Sequence, residues 1–253
     1  MRTRRVAALL IPVAAVVAGC GSSSSGGSAA IDTSPSAAQV SPTPSSTATN
    51  ANGCTPPPAL QTTHQSYSSE PAMTISPTTY TATIVTNCGT IVIALDGKHA
   101  PHTVNSFNFL AGKGFFNDTK CHRLTTEGIY VLQCGDPTGT GSGGPGYTFT
   151  DEYLNDPALG KPRSIGGQRA VTYPAGIVAM ANSGPDTNGS QFFLVFRNSP
   201  LAPAYTPFGR ITSGLDVVKR IAAAGSTPPG DGAPNQPVVI ESFTVSKGAP
   251  AGS

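Results

Sequence analysis

The chain of 253 residues has no tryptophan and three methionines, and only 11% of its residues are charged. A net charge of +2 gives no field strong enough to collect nucleic acid, and no basic stripe recurs at helical spacing to suggest a membrane-surface helix. Nucleic acid is therefore not an expected partner. The longest apolar run, Val6 to Ala18, falls short of the roughly 20 residues that a membrane-spanning helix needs. Internal repeats, a glycine-rich nucleotide loop, coiled-coil heptads and a Cys-x-x-Cys pair are all missing, so no cofactor and no metal ion is expected. Glycine (29) and proline (24) are plentiful beside 38% hydrophobic residues, a balance that suits one globular domain joined to a segment that does not fold.

The start of the chain reads as a targeting segment. Arg2, Arg4 and Arg5 precede the apolar run, which predicts a signal peptide over residues 1–19. Its end, Val17-Ala18-Gly19-Cys20, resembles a bacterial lipobox, which implies diacylation of the Cys20 sulfur and a mature protein that begins there. An ordinary secretory signal and an uncleaved anchor are the alternatives. From Gly21 to Ser69 the only Asp, Glu, Lys or Arg is Asp32, and bulky apolar side chains are scarce. Such a segment cannot offset its ordering entropy by burial. Residues 20–78 are thus expected to form a disordered tether with a reach of about 40 Å, or a glycosylated stalk of the same composition. The protein is expected on the extracytoplasmic face of the bacterial cell membrane, held there by lipid.

Order is predicted to begin near Tyr80. Tyr80–Val85 and Thr90–Leu95 flank Asn87-Cys88-Gly89 and read as a β-hairpin. After Pro101, the positions Val104, Phe107, Leu110 and Ala111 predict a helix that stops at Gly112. Short apolar runs at 130–132, 177–180, 191–196 and 238–245 suggest strands, and Leu215, Val217, Val218 and Ile221 predict a second helix over 214–224, with Gly225 as its left-handed cap. Many strands with two helices point to an all-β barrel, whose closure removes sticky edges.

Three stretches carry chemistry: Cys121-His122-Arg123, Val131-Leu132-Gln133-Cys134-Gly135-Asp136, and residues 176–193 with Ala181-Asn182-Ser183-Gly184-Pro185 and Gln191-Phe192-Phe193. Singly, each has a plain structural reading: a cross-strand ion pair, a turn, a core phenylalanine. Together, in this order and spacing, they resemble the active face of a cyclophilin-type peptidyl-prolyl cis-trans isomerase. The resemblance covers about residues 79–247, followed by a short tail at 248–253. It implies a closed eight-stranded antiparallel barrel capped by two α-helices, acting as a monomer on proline-containing segments of exported proteins.

Arg123 matches the family's essential arginine and Gln133 the glutamine that orients it, which implies that these two are catalytic. His122 is the motif histidine. Tyr130, Val131, Phe193 and Leu201 match the proline pocket, with Gly141, Ala181, Asn182 and Gln191 along the adjoining peptide groove and Tyr205 where many eukaryotic members have histidine. The resemblance also shows departures. Cys121 replaces a phenylalanine, Val131 replaces Phe or Met, and two extra residues between Arg123 and Gln133 must bulge outward at Thr125–Gly128. Tryptophan is missing beside Leu201, where cyclosporin-sensitive members carry it and where Ser199 and Pro200 stand here, so weak cyclosporin binding is expected. A non-catalytic proline-peptide binding module, or holdase, is the rival reading.

With Cys20 assigned to lipid, Cys54, Cys88, Cys121 and Cys134 remain, an even number in a compartment that permits disulfides. Three pairings are possible. Cys121 and Cys134 flank a predicted hairpin, which favours Cys121 with Cys134 and Cys54 with Cys88. A zinc site of Cys121, His122 and Cys134 is disfavoured because neighbouring strand residues face opposite ways.

Overall fold

A computed structural model describes residues 49–250. The predicted signal peptide, Cys20, tether residues 20–48 and tail residues 251–253 lie outside the described residues. Strands β1 (Thr79–Thr86) and β2 (Gly89–Asp96) form the expected hairpin, and Tyr80, Ala82 and Ile84 of β1 face inward at every second position. Helix α1 (Pro101–Gly112) follows, burying Val104, Phe107 and Leu110. Its N-cap residue, Ala100, offers no capping side chain. Glu152, fifty residues on, serves instead: its carboxylate accepts from the main-chain N–H groups of His102 and Thr103 at 3.0 and 2.8 Å.

Strands β3 (Thr119–Lys120), β4 (Arg123–Thr125) and β5 (Val131–Cys134) come next. After them run β6 (Arg163–Ile165), β7 (Gln168–Tyr173), β8 (Ile177–Met180), β9 (Phe192–Val195), β10 (Ser199–Leu201) and β11 (Pro207–Ser213). Helix α2 (Leu215–Ala223), β12 (Ser226–Thr227), β13 (Asp231–Pro234) and β14 (Val239–Lys247) complete the chain. Gly225 follows α2 with φ +77°, the left-handed end that the sequence predicts.

The result is an all-β fold with two helices, built on one strongly curled sheet of eleven strands in the order β12-β13-β4-β5-β9-β8-β11-β2-β1-β14-β3; β10, β7 and β6 pair separately. Strand alternation divides the apolar residues between two cores. Phe192, Leu132 and Cys134 point into the main core with Phe107, Phe116, Phe208 and Phe243, whereas Phe193, Val131 and Val195 point to a second cluster with Val171, Tyr173 and Ile177. That second cluster lies beneath the site described below.

Both expected disulfides are present, Cys54–Cys88 and Cys121–Cys134. The first changes the reading of the tether. Residues 50–78 take up no helix or strand, yet they lie along the domain as a strap. Main-chain N–H groups of Thr55, Gln61 and Tyr67 donate to Asn87, Asp118 and Pro145 carbonyls at 2.7, 3.0 and 2.8 Å. The Tyr67 ring packs edge-on against Phe109. Buried Asn105 of α1 accepts from the Thr74 N–H and donates to the Pro71 and Ala72 carbonyls. Composition counts side chains, and this segment is held by a crosslink and by main-chain hydrogen bonds, which composition does not register.

Candidate active site

Antiparallel pairing of β4 with β5 sets Arg123 directly opposite Gln133, and pairing of β5 with β9 sets Gln133 opposite Phe193. Three side chains from three strands therefore share one face of the sheet. They line a pocket of about 150 Å³ with Ile129, Val131, Ala181, Asn182, Leu201 and Tyr205. Phe193 is 4% exposed and forms an apolar floor. Tyr205 meets it edge to face at 5.6 Å and is fixed by its main chain, which exchanges two hydrogen bonds with the Tyr173 hydroxyl.

The polar rim is a chain of hydrogen bonds. Arg123 Nη1 donates to Gln133 Oε1 at 3.4 Å, Gln133 Nε2 donates to Gln191 Oε1 at 2.8 Å, and Gln191 Nε2 donates to the carbonyls of Gly141 and Gly143, both at 2.9 Å. Each amide is oriented by the next. On its other edge Arg123 meets the Asp231 carboxylate, which raises the arginine pKa further while the arginine lowers that of Asp231.

Gln133, Ala181 and Asn182 also border a second, open cavity of about 710 Å³, so pocket and groove adjoin along these three residues. Gly141, Gly143, Thr187 and Gln191 line this groove, and Ser66 of the strap contributes to its wall. Asn182 is held by its side chain, whose amide donates to the Ala204 carbonyl at 2.7 Å. Its main-chain N–H and C=O make no hydrogen bond among the described residues and are available to an extended peptide.

Arg123, Gln133, Val131, Phe193, Leu201 and Tyr205 thus meet at the pocket, with Asn182 and Ala181 joining it to a groove that holds Gly141 and Gln191. Two assignments are corrected. Tyr130 does not line the pocket: it borders a separate cavity with Phe196, and the Arg197 guanidinium lies 3.3 Å over its ring. Strand alternation gives the reason, since Val131 and Gln133 face the site and Tyr130 must face away. Ile129 takes the place instead. His122, next to Arg123, also turns from the pocket. Its ring lies beneath Gly141, both nitrogens are buried without a partner among the described residues, and burial lowers its pKa. Of the stretch Thr125–Gly128 expected to bulge outward, Glu127 and Gly128 are exposed, whereas Thr125 is buried in β4 opposite Val131.

Asp231, Ile129 and Ser66 were not singled out from sequence. Position 129 has the parity of 131 and 133, a signal that was present; Asp231 lies 108 residues from Arg123 in a Gly-Asp-Gly turn with no distinguishing pattern.

Comparison with known proteins agrees with this geometry. The family model for cyclophilin type peptidyl-prolyl cis-trans isomerases matches residues 81–245. The probable peptidyl-prolyl cis-trans isomerase B of Mycobacterium leprae is 51% identical over 176 residues, covering 66% of this chain and 57% of the relative. Its Mycobacterium tuberculosis counterpart is 49% identical over 175 residues, covering 66% and 54%. This chain therefore spans little more than half the length of those two relatives. Peptidyl-prolyl cis-trans isomerase A of Mycobacterium tuberculosis is 40% identical over 185 residues and is covered over 93% of its length, against 66% of this chain. Among solved structures, a Cryptosporidium parvum cyclophilin type peptidyl-prolyl cis-trans isomerase superposes with a TM-score of 0.54 at 27% identity, covering 68% of this chain and 99% of that one. A second structure of it, in the presence of the dipeptide Ala-Pro, gives 0.53. On motif, fold and relatives together, this chain belongs to the cyclophilin-type peptidyl-prolyl cis-trans isomerase family.

Proposed function

We propose that the protein is a peptidyl-prolyl cis-trans isomerase that accelerates X-Pro isomerisation in exported proteins. The observation that carries this reading is a guanidinium fixed at the rim of an apolar pocket beside the free main chain of Asn182. Amide resonance makes rotation cost about 18–20 kcal/mol. Lowering that barrier needs no bond to break, only tighter binding of the twisted amide than of either planar form. The proline ring enters the pocket over Phe193, between Val131, Ile129 and Leu201. The Asn182 main chain holds the residue before it. As the amide twists, the lone pair localises on the prolyl nitrogen and accepts a hydrogen bond from Arg123, whose charge is permanent. His122 takes no part as acid or base, because its ring faces away from the pocket.

The fold we read as the closed eight-stranded barrel of the family. Supporting this, only Cys121 and His122 separate β3 from β4, and their N–H groups donate to the Val238 and Gln133 carbonyls. With β3 and β4 counted as one bent strand, the sheet order returns on itself through eight strands, and the β12–β13 hairpin is an appendage. We read the protein further as a monomer, lipid-anchored through Cys20 on the extracytoplasmic face; its two disulfides suit an oxidising compartment.

The test is NMR exchange spectroscopy on an Ala-Pro peptide with catalytic amounts of wild type and of Arg123→Ala. Strong acceleration by wild type and a loss of about 10²- to 10³-fold in the variant are expected. Peptide binding without acceleration by wild type would instead identify the non-catalytic binding module, a reading favoured only by the small Val131 in the pocket.

A further inference from the structure

An arginine side chain at a pocket rim has four rotatable bonds and, left free, samples many orientations of its donors. Arg123 is not free. Its Nε and Nη2 donate to Asp231 Oδ1 and Oδ2, both at 2.7 Å, a two-point grip on one edge of the guanidinium. The opposite edge, with Nη1, is left toward Gln133 and the pocket. We propose that Asp231 is the positioning residue of this site: it holds the outer edge of Arg123 so that the inner edge faces the prolyl nitrogen. The proposal rests on the isomerase reading.

The support behind Asp231 is itself built. β13 pairs with β4 so that Asp231 lies opposite Thr125 and Gly232 opposite Leu124, which sets Asp231 diagonally across from Arg123 on the same face. The positions on either side of it require glycine. Gly230 has φ +84°, and a Cβ on Gly232 would run into the Thr227 main chain. Thr227 Oγ1 donates to Asn235 Oδ1, and Asn235 Nδ2 donates to the Ala224 carbonyl at the end of α2. The carboxylate is therefore delivered by a braced hairpin.

Stabilisation of the fold is a poor account of this pair. The Arg123 and Asp231 side chains are 40% and 54% exposed, and exposed ion pairs contribute little to folding. A pair that adds little to the fold but fixes a donor edge at a pocket belongs to the site.

The test compares full-length wild type with Asp231→Ala, Asp231→Asn and Asp231→Glu. For Asp231→Ala, kcat is expected to fall about tenfold, as misplacement of a positioned group does, with KM changed less than about twofold. Asp231→Asn, which keeps shape but loses charge, should fall between, and Asp231→Glu should restore most of the rate. Melting temperatures should agree within about 2 °C, as for an exposed pair. A second readout does not depend on activity: the Arg123 Nε–H proton, slow to exchange in wild type, should exchange rapidly in Asp231→Ala while the amide spectrum stays native. A kcat at or above wild type in Asp231→Ala would overturn the proposal and make Asp231 a competitor for the donor. So would rapid Nε–H exchange in wild type. If wild type does not accelerate exchange at all, the isomerase reading falls, and the Nε–H readout still decides whether Asp231 holds the guanidinium.

Discussion

Four main-chain N–H groups, those of Thr138, Thr140, Gly141 and Gly143, donate to the Asp136 carboxylate at 2.6–3.0 Å, joined by the Thr138 hydroxyl. Burial opposes the charged form, but these bonds outweigh it and hold the Asp136 pKa down to about 2. The folded value is depressed, so the stabilisation is full above the unfolded value of about 3.9 and is lost as pH falls from there toward 2. Asp136→Asn should cost about 1–3 kcal/mol at pH 7, and denaturant titrations of the two proteins should converge as pH falls to 2. A constant gap would show that the carboxylate charge is not what orders the loop. Because Gly141 and Gly143 line the groove, the variant should also weaken peptide binding. At the other side of the site, Arg123→Lys should behave almost like Arg123→Ala in the exchange assay, since one ammonium cannot grip Asp231 at two points and still present a fixed donor to the pocket. Full activity in the lysine variant would mean that charge alone suffices. Most pocket residues were legible because each sits in a motif; Asp231 was not, because a strand pairing 108 residues apart supplies it. Tyr130 was misread because a family position outweighed strand parity.

At the scale of elements, the hairpin of β1 and β2 and both helices were legible from periodicity, which burial on one face enforces. β6 was not: Arg163, Ser164 and Ile165 are all exposed, and a strand with no buried face leaves no alternation to read. β13, Asp231-Gly-Ala-Pro234, has the composition of a loop, and its pairing with β4 is tertiary. The strap over residues 50–78 is the larger difference, and the Cys54–Cys88 crosslink, which spans 34 residues, ties its start to the β1–β2 turn. By the chain-entropy model such a loop is worth about 3–4 kcal/mol. A Cys54→Ser, Cys88→Ser double variant should lose an amount of that order in urea unfolding, and native-state amide exchange should speed up along residues 55–67 first. Ser66 borders the groove, so peptide affinity should fall more than kcat. Unchanged exchange along the strap would show that its hydrogen bonds to Asn87, Asp118 and Pro145 suffice without the crosslink.

For the whole molecule, the proposed location and the proposed chemistry are assigned to different parts of the chain. Every residue that lines the proline pocket lies between Arg123 and Tyr205, far along the chain from Cys20. Among the described residues no helix is long and apolar enough to cross a membrane; the anchoring proposed above is through lipid at Cys20. Two acyl chains on one residue give stable attachment where one gives only marginal binding. Cys20→Ser should therefore move the protein from the membrane pellet to the soluble fraction, with kcat/KM toward a soluble Ala-Pro peptide unchanged per molecule. Acceleration of proline-limited refolding of a soluble client should likewise be unaffected, because net charge +2 gives neither form strong electrostatic steering. Retention of the serine variant in the membrane would mean that residues 1–19 stay attached as an uncleaved anchor. Release accompanied by loss of activity would mean that the N-terminal region also supports the site, and that separation of anchor from catalyst would fail.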